Sequence, residues 1–199
     1  MGQKTIYIVL TDTGTLLSRA IGMYTRKDLN HASIAFDQEL KEVYSFGRKN
    51  KHNPFVGGFV RENVTDGIFI DADCAIFSYQ VSNEKYECMR RRIHQIELNQ
   101  DHYKYNFIGL FAVAMNKSIN RNHAYFCSQF VATIVNESGI QMFSIPPNLV
   151  QPHHFTQLPN LKPVYEGELQ SYLQNVRGVE ERLPPKIGMW RHLAVRILS

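Results

Sequence analysis

The sequence has little cysteine: three residues, Cys74, Cys88 and Cys127, spread over 199 positions. An odd set at wide spacing with no C-x-x-C pair argues against a zinc site or other resident metal. Free thiols in a reducing compartment are the expectation. Long apolar runs are also lacking, and none approaches the roughly 20 residues needed to span a bilayer. The first residues, "MGQKTIYIVLTDTG", lack a small-residue cleavage site, and Ile6 stands where myristoylation wants Ser or Thr. A cytoplasmic location follows as an expectation. Excess charge of one sign is scarce: the net charge is +4 and the pI about 8.9. That is far from a dense basic stripe, so "RRRIH" and "FGRKNKH" read as solvated faces and nucleic acid is not an expected partner. Repeats, low-complexity tracts and linkers are absent. The 44% hydrophobic content is that of an ordinary globular chain. A single domain over 1–199 is expected, with a basic C-terminal extension from about 176.

What is present is a mixed pattern of strands and helices. "TIYIVLT" (5–11), "HASIAFD" (31–37), "KEVYSFGR" (41–48) and "CAIFSYQV" (74–81) read as strands, and "LKPVYEGEL" (161–169) as a late one. The second and third form a hairpin around Gln38 and Glu39. "LLSRAIGMYT" (16–25) reads as a short helix, and 82–100 as the longest one, capped by Ser82, with Tyr86, Met89, Ile93 and Ile96 inward. "NKHNPFVGGFVRE" (50–62), with its Pro, Asn and Gly pair, reads as a loop. "NFIGLFAVAMN" (106–116) is apolar nearly all round, which predicts a buried helix or turn. "SIPPNLVQPHHF" (144–155) reads as a proline-punctuated loop. No regular βαβ rhythm appears, so the fold class is α+β.

"HAYFCSQFVATIVNESGI" (123–140) reads as an amphipathic helix, ended by Gly139. Phe130, Val131, Ile134, Val135 and Ser138 share a face with Cys127, which opens the helical pattern. Two readings stand. Cys127 is a small buried hydrophobe, or it is a nucleophile whose thiolate is favoured by free helix amides. A nucleophile needs a base. Of the eight histidines, 31, 52, 94, 102, 123, 153, 154 and 192, only His31 opens a strong strand. Small Ser33 and Ala35 follow it on one face, which predicts close approach of a helix over that face. The alternative is a strand-end histidine bonded to a nearby carbonyl.

Taken together, "LNHASIAF" followed far downstream by "YFCSQFVATIV" and "PPNLVQPHHF" resembles the circularly permuted branch of the papain-like NlpC/P60 superfamily, over roughly residues 5 to 155. In that branch the histidine strand precedes the cysteine helix. The resemblance implies a mainly antiparallel sheet packed against the nucleophile helix, with Cys127 and His31 catalytic and no cofactor. It also implies a third polar residue, often on the next strand, that orients the imidazole. If the hairpin turns near Gln38–Glu39, His31 faces residues 45 to 47. Ser45 is then the polar candidate and Tyr44 a diagonal alternative. Neither is a carboxylate, and a hydroxyl cannot stabilise an imidazolium as a carboxylate does.

The implied reaction is thiol hydrolysis of an amide through a thioester, on a peptide or an acyl-containing small molecule. Lipid acyl hydrolysis or transfer, or a non-catalytic binding module, are the alternatives. "NPFVGGFVRE" offers Phe55, Phe59 and Arg61 either as a pocket lining or, the favoured reading, as a loop held by two aromatics. The tail, 176–199, carries Arg177, Arg182, Lys186, Arg191 and Arg196 against Glu180 and Glu181, most of the net +4. Alternation from Leu193 to Ile197 favours a half-buried strand over a segment resting on anionic lipid, so membrane contact is the disfavoured reading.

Overall fold

The computed structural model describes residues 2–12, 29–48, 57–115, 117, 119 and 121–182. Five strands and then a sixth build one sheet: β1 (Gln3–Asp12), β2 (His31–Ala35), β3 (Val43–Arg48), β4 (Gly57–Glu62), β5 (Asp73–Ser82) and, late in the chain, a strand at Lys162–Glu168. Between these last two lie α1 (Asn83–Leu98), β6 (Lys104–Tyr105), α2 (Phe107–Ala114), β7 (Ala124–Tyr125), α3 (Cys127–Glu137) and the single turn α4 (Pro152–Phe155). The late strand is therefore β8, and α5 (Leu169–Arg182) follows it. The sheet order is β4-β3-β2-β1-β5-β8, and every neighbouring pair in it is antiparallel. The α+β class is as expected, with a small parallel β6–β7 ladder beside the main sheet.

Alternation along the strands sorts side chains onto two buried faces. Ile6, Ile8, Leu10, Ala32, Ile34, Phe46 and Phe59 pack against Met89, Ile93 and Ile96 of α1 and against Phe130, Ile134 and Val135 of α3. On the other face Val9, Ala35, Val43, Cys74 and Ile76 pack against Phe69 and against Leu169, Tyr172 and Leu173 of α5. A strand covered on both faces has no polar side, which is why β1 reads "IYIVL" without a break. Ser82 caps α1 by accepting the Lys85 amide at 3.3 Å.

Several sequence expectations need correction. The 50–62 stretch is not a loop throughout: its second half is strand β4, and the Gly57–Gly58 pair lies within it. Glycine is required at 57 because a Cβ there would come within 2.8 Å of the Tyr105 Cβ and 2.9 Å of the Gly47 carbonyl oxygen. The helix at 123–140 starts only at Cys127, because Phe126 is extended. The Cys127 helix, α3, packs over Ala32 and Ile34, the face opposite Ser33 and Ala35. Phe59 is core, stacked on Tyr44 at 6.0 Å, and Arg61 lies over the Tyr44 ring. The 16–25 helix, Phe55 and the tail beyond 182 lie outside the described residues.

Candidate active site

Cys127 is placed by a strand that turns into a helix. Phe126 is fully buried and extended, and no side chain caps the helix that follows. The first helical bond runs from the Phe130 amide to the Phe126 carbonyl at 2.9 Å. The amides of residues 127 to 129 thus have no carbonyl four residues back within the helix. The Ser128 hydroxyl donates to the Val150 carbonyl at 2.7 Å and ties the helix start to the 147–149 turn.

His31 approaches from the first position of β2. The β2–β3 ladder pairs Ile34 with Tyr44 and Ala35 with Val43, and does not extend to His31. At that open end the Ala32 amide, together with the Ser128 amide of the helix start, lowers the pKa of the Cys127 thiol. This is how a helix on one face and a histidine on the other meet: at the rim of the sheet, where the ladder has stopped. The His31 imidazole lies beside the Cys127 thiol, near enough that each shifts the titration of the other. Its Nε2 donates to Glu62 Oε1 at 2.7 Å. Phe69 packs on the ring, with centroids 6.4 Å apart.

Glu62 is the residue that sequence reasoning missed. It ends β4 and lies across from Val43, two strands away from His31. Strands in a sheet lie about 4.8 Å apart, so a long side chain must cross a whole strand to reach the imidazole. β3 leaves the path open because its residues there are Ser45 and Gly47. A Cβ on Gly47 would sit 3.8 Å from His31 Cε1 and 4.0 Å from Glu62 Oε1. A larger side chain would fill that passage. The hydroxyls of Ser45 and Ser33 both donate to the carboxylate, to Oε1 at 2.5 Å and to Oε2 at 2.6 Å. Ser45 therefore belongs to the site but serves Glu62, and the direct partner of His31 is the carboxylate. The signal available in the sequence was the β-favouring pair Phe59–Val60 shortly before an acid; the glycine pair before it masked the strand.

The electrostatics follow from burial and partners. Burial pushes the Glu62 carboxyl up, but the His31 charge and hydrogen bonds from His31, Ser33 and Ser45 hold it below its ordinary value. Burial pushes His31 down, but the Glu62 charge and the hydrogen bonds to Cys127 and Glu62 raise it from 6.5 to about 10. Burial raises the Cys127 thiol, yet the hydrogen bond and charge of His31 and the Ala32 and Ser128 amides bring it below its ordinary value. The arrangement favours a thiolate–imidazolium pair backed by a carboxylate. Such a pair supplies a nucleophile and a proton donor in one place.

The other described histidines serve elsewhere. His154 Nδ1 accepts the Gln151 amide at 3.1 Å, a local cap on α4. His94 is exposed beside Glu97, and His123 packs edge-on against Tyr103. All three cysteines are free. No protein-family model and no curated protein matches the chain.

Proposed function

We propose that the chain is a cysteine hydrolase acting on an amide bond, with Cys127 as nucleophile, His31 as base and acid, and Glu62 holding the imidazole. One observation carries the reading: a thiol at an uncapped helix start lies beside an imidazole that is itself hydrogen-bonded to a buried carboxylate. The order of the parts, histidine strand before cysteine helix, supports a permuted papain-like arrangement of the NlpC/P60 kind. So does the antiparallel sheet with that helix on one face.

In the first step the Cys127 thiolate attacks the substrate carbonyl carbon, and the C=O electron pair moves onto oxygen. The Cys127 amide, which has no acceptor within its helix, is the donor assigned to that oxyanion. The tetrahedral intermediate collapses, the C–N bond breaks, and His31 gives its proton to the departing amine. The acyl group is left as a thioester on Cys127. His31, now neutral, takes a proton from water, which attacks the thioester carbonyl; the acid leaves and the thiol is restored. Glu62 keeps the imidazole oriented and stabilises its charged form throughout. The substrate class is a peptide or an acyl-containing small molecule, with amides ahead of lipid esters.

Intact-mass analysis tests this directly. Incubation with peptide p-nitroanilides and short acyl p-nitrophenyl esters should leave an acyl adduct on Cys127 that His31→Ala does not accumulate. Absence of any adduct, together with iodoacetamide labelling of Cys127 no faster than that of Cys74, would leave a non-catalytic binding module as the better reading.

A further inference from the structure

α2 does not behave as its sequence predicts. A helix that is apolar nearly all round should be buried all round. Here Leu110 and Val113 turn inward, against Phe126, Tyr105 and Leu149. Ile108 and Met115, seven residues apart and hence on one face, are 55% and 57% exposed. Ile119 is also exposed, and its carbonyl accepts from Asn106 Nδ2 at 3.5 Å, which places Ile119 beside the helix start. Ile108, Met115 and Ile119 are thus three exposed apolar side chains carried by the excursion between β6 and β7.

The charge around this excursion has one sign. From His102 to Asn136 the chain contains no Asp or Glu, while Lys104, Lys117 and Arg121 are all present and exposed. We infer that the exposed residues of this excursion form a docking surface for an anionic lipid bilayer, with Ile108, Met115 and Ile119 entering the headgroup–acyl boundary and Lys104, Lys117 and Arg121 facing the lipid phosphates. Charge complementarity selects this occupant. The basic tail of the same chain and a second copy of this patch would each bring further positive charge against the three cations. A nucleic acid would satisfy the cations and leave the exposed Ile and Met side chains in water. No described helix is long and apolar enough to cross a membrane, so the seat is interfacial. Membrane contact thus returns on a part of the chain other than the tail. β7 leads from the excursion into Cys127 within two residues, which puts the docked surface next to the nucleophile helix.

Co-sedimentation of full-length Cys127→Ser protein with phosphatidylcholine vesicles, with and without phosphatidylglycerol, tests the surface without depending on catalysis. Binding is expected to the anionic vesicles, to fall as salt is raised, and to weaken about tenfold or more for Lys117→Glu with Arg121→Glu. Ile108→Asp with Met115→Asp should weaken it comparably; both sites are exposed, and unchanged circular dichroism would verify folding. No binding to anionic vesicles would overturn the proposal. So would binding that survives these four changes but is lost with Arg191→Glu and Arg196→Glu, which would assign it to the tail. A dimer in sedimentation equilibrium that Met115→Asp disperses would also overturn it, by showing that a second copy covers the patch.

Discussion

Cys74 and Cys127 are buried to the same degree, 1% and 2% exposed, yet their thiols are driven in opposite directions. Cys74 also lies near the site: Thr11 on β1 pairs with Cys74 on one side and with His31 on the other. Cys74 lies among Ile76, Leu169 and Tyr172, next to Asp73. Burial and then the Asp73 charge push it up to about 12. Cys127 is also desolvated, but the hydrogen bond and charge of His31 and the Ala32 and Ser128 amides outweigh that burial. Burial alone therefore makes a thiol inert; what makes one reactive is a set of donors fixed before the charge forms.

The largest effect should come from erasing that difference. In brief iodoacetamide treatment near neutral pH, mapped by peptide mass, Cys127 should outrun Cys74 by about a thousandfold or more. His31→Ala should bring Cys127 most of the way down to the Cys74 rate. An unchanged rate in that variant removes His31 as the base.

Next is the carboxylate. Glu62→Gln keeps the shape and removes the charge that supports the imidazolium, so acylation of Cys127 should slow by about 10²–10⁴-fold. Glu62→Ala leaves a buried charged imidazole and two serine hydroxyls without their acceptor. Unfolding in urea should then show a loss of about 3–5 kcal/mol. A silent Glu62→Gln variant would sink its role as the orienting group.

The pH dependence comes third. The thiolate–imidazolium window opens above the lowered value of Cys127 and closes as His31 deprotonates near pH 10. Acylation should be level across the range in which an ordinary thiol is still gaining thiolate, and fall beyond it. The stability consequence has a definite sign. The raised His31 contributes stability that is fully present below its ordinary 6.5 and lost as pH rises through about 10. The lowered Glu62 contributes stability present above its ordinary 4.5 and lost as pH falls through its folded value. Thermal melts of the native chain should therefore weaken at both ends, and Glu62→Gln should flatten both limbs. A melt profile that Glu62→Gln leaves unchanged would contradict the linkage.

The smallest of these effects belongs to the serines. Ser33→Ala and Ser45→Ala each remove one hydrogen bond to a buried carboxylate, worth about 1–3 kcal/mol. Each should move the acid limb of the acylation profile to higher pH, and Ser45→Thr, which keeps the hydroxyl, should restore it. A loss of stability with an unmoved acid limb would make Ser45 a packing residue only.

Much of the framework was legible from local pattern. β1, β2, β3, β5 and α1 stand within a few residues of where alternation and helical spacing put them, because burial within one element is written along that element. The order of His31 and Cys127 along the chain, and the place of Cys127 at a helix start, were legible for the same reason. β4 was hidden by its glycines, whose use is to let Tyr105 and Gly47 come close, a contact between distant elements.

The sequence by itself determined which residues can do chemistry and which elements carry them: a thiol opening a helix, an imidazole opening a strand. Only the tertiary structure decided which groups meet. Glu62 is 31 residues from His31 and two strands away, and it serves because strand order, the β3–β4 register and the small Ser45 and Gly47 leave it a path. The open face of α2 was decided the same way, since an apolar helix announces that it will be covered but not by what. Local periodicity encodes whether a side chain is buried; its partner depends on contacts between elements far apart in the chain, which no short window of sequence contains.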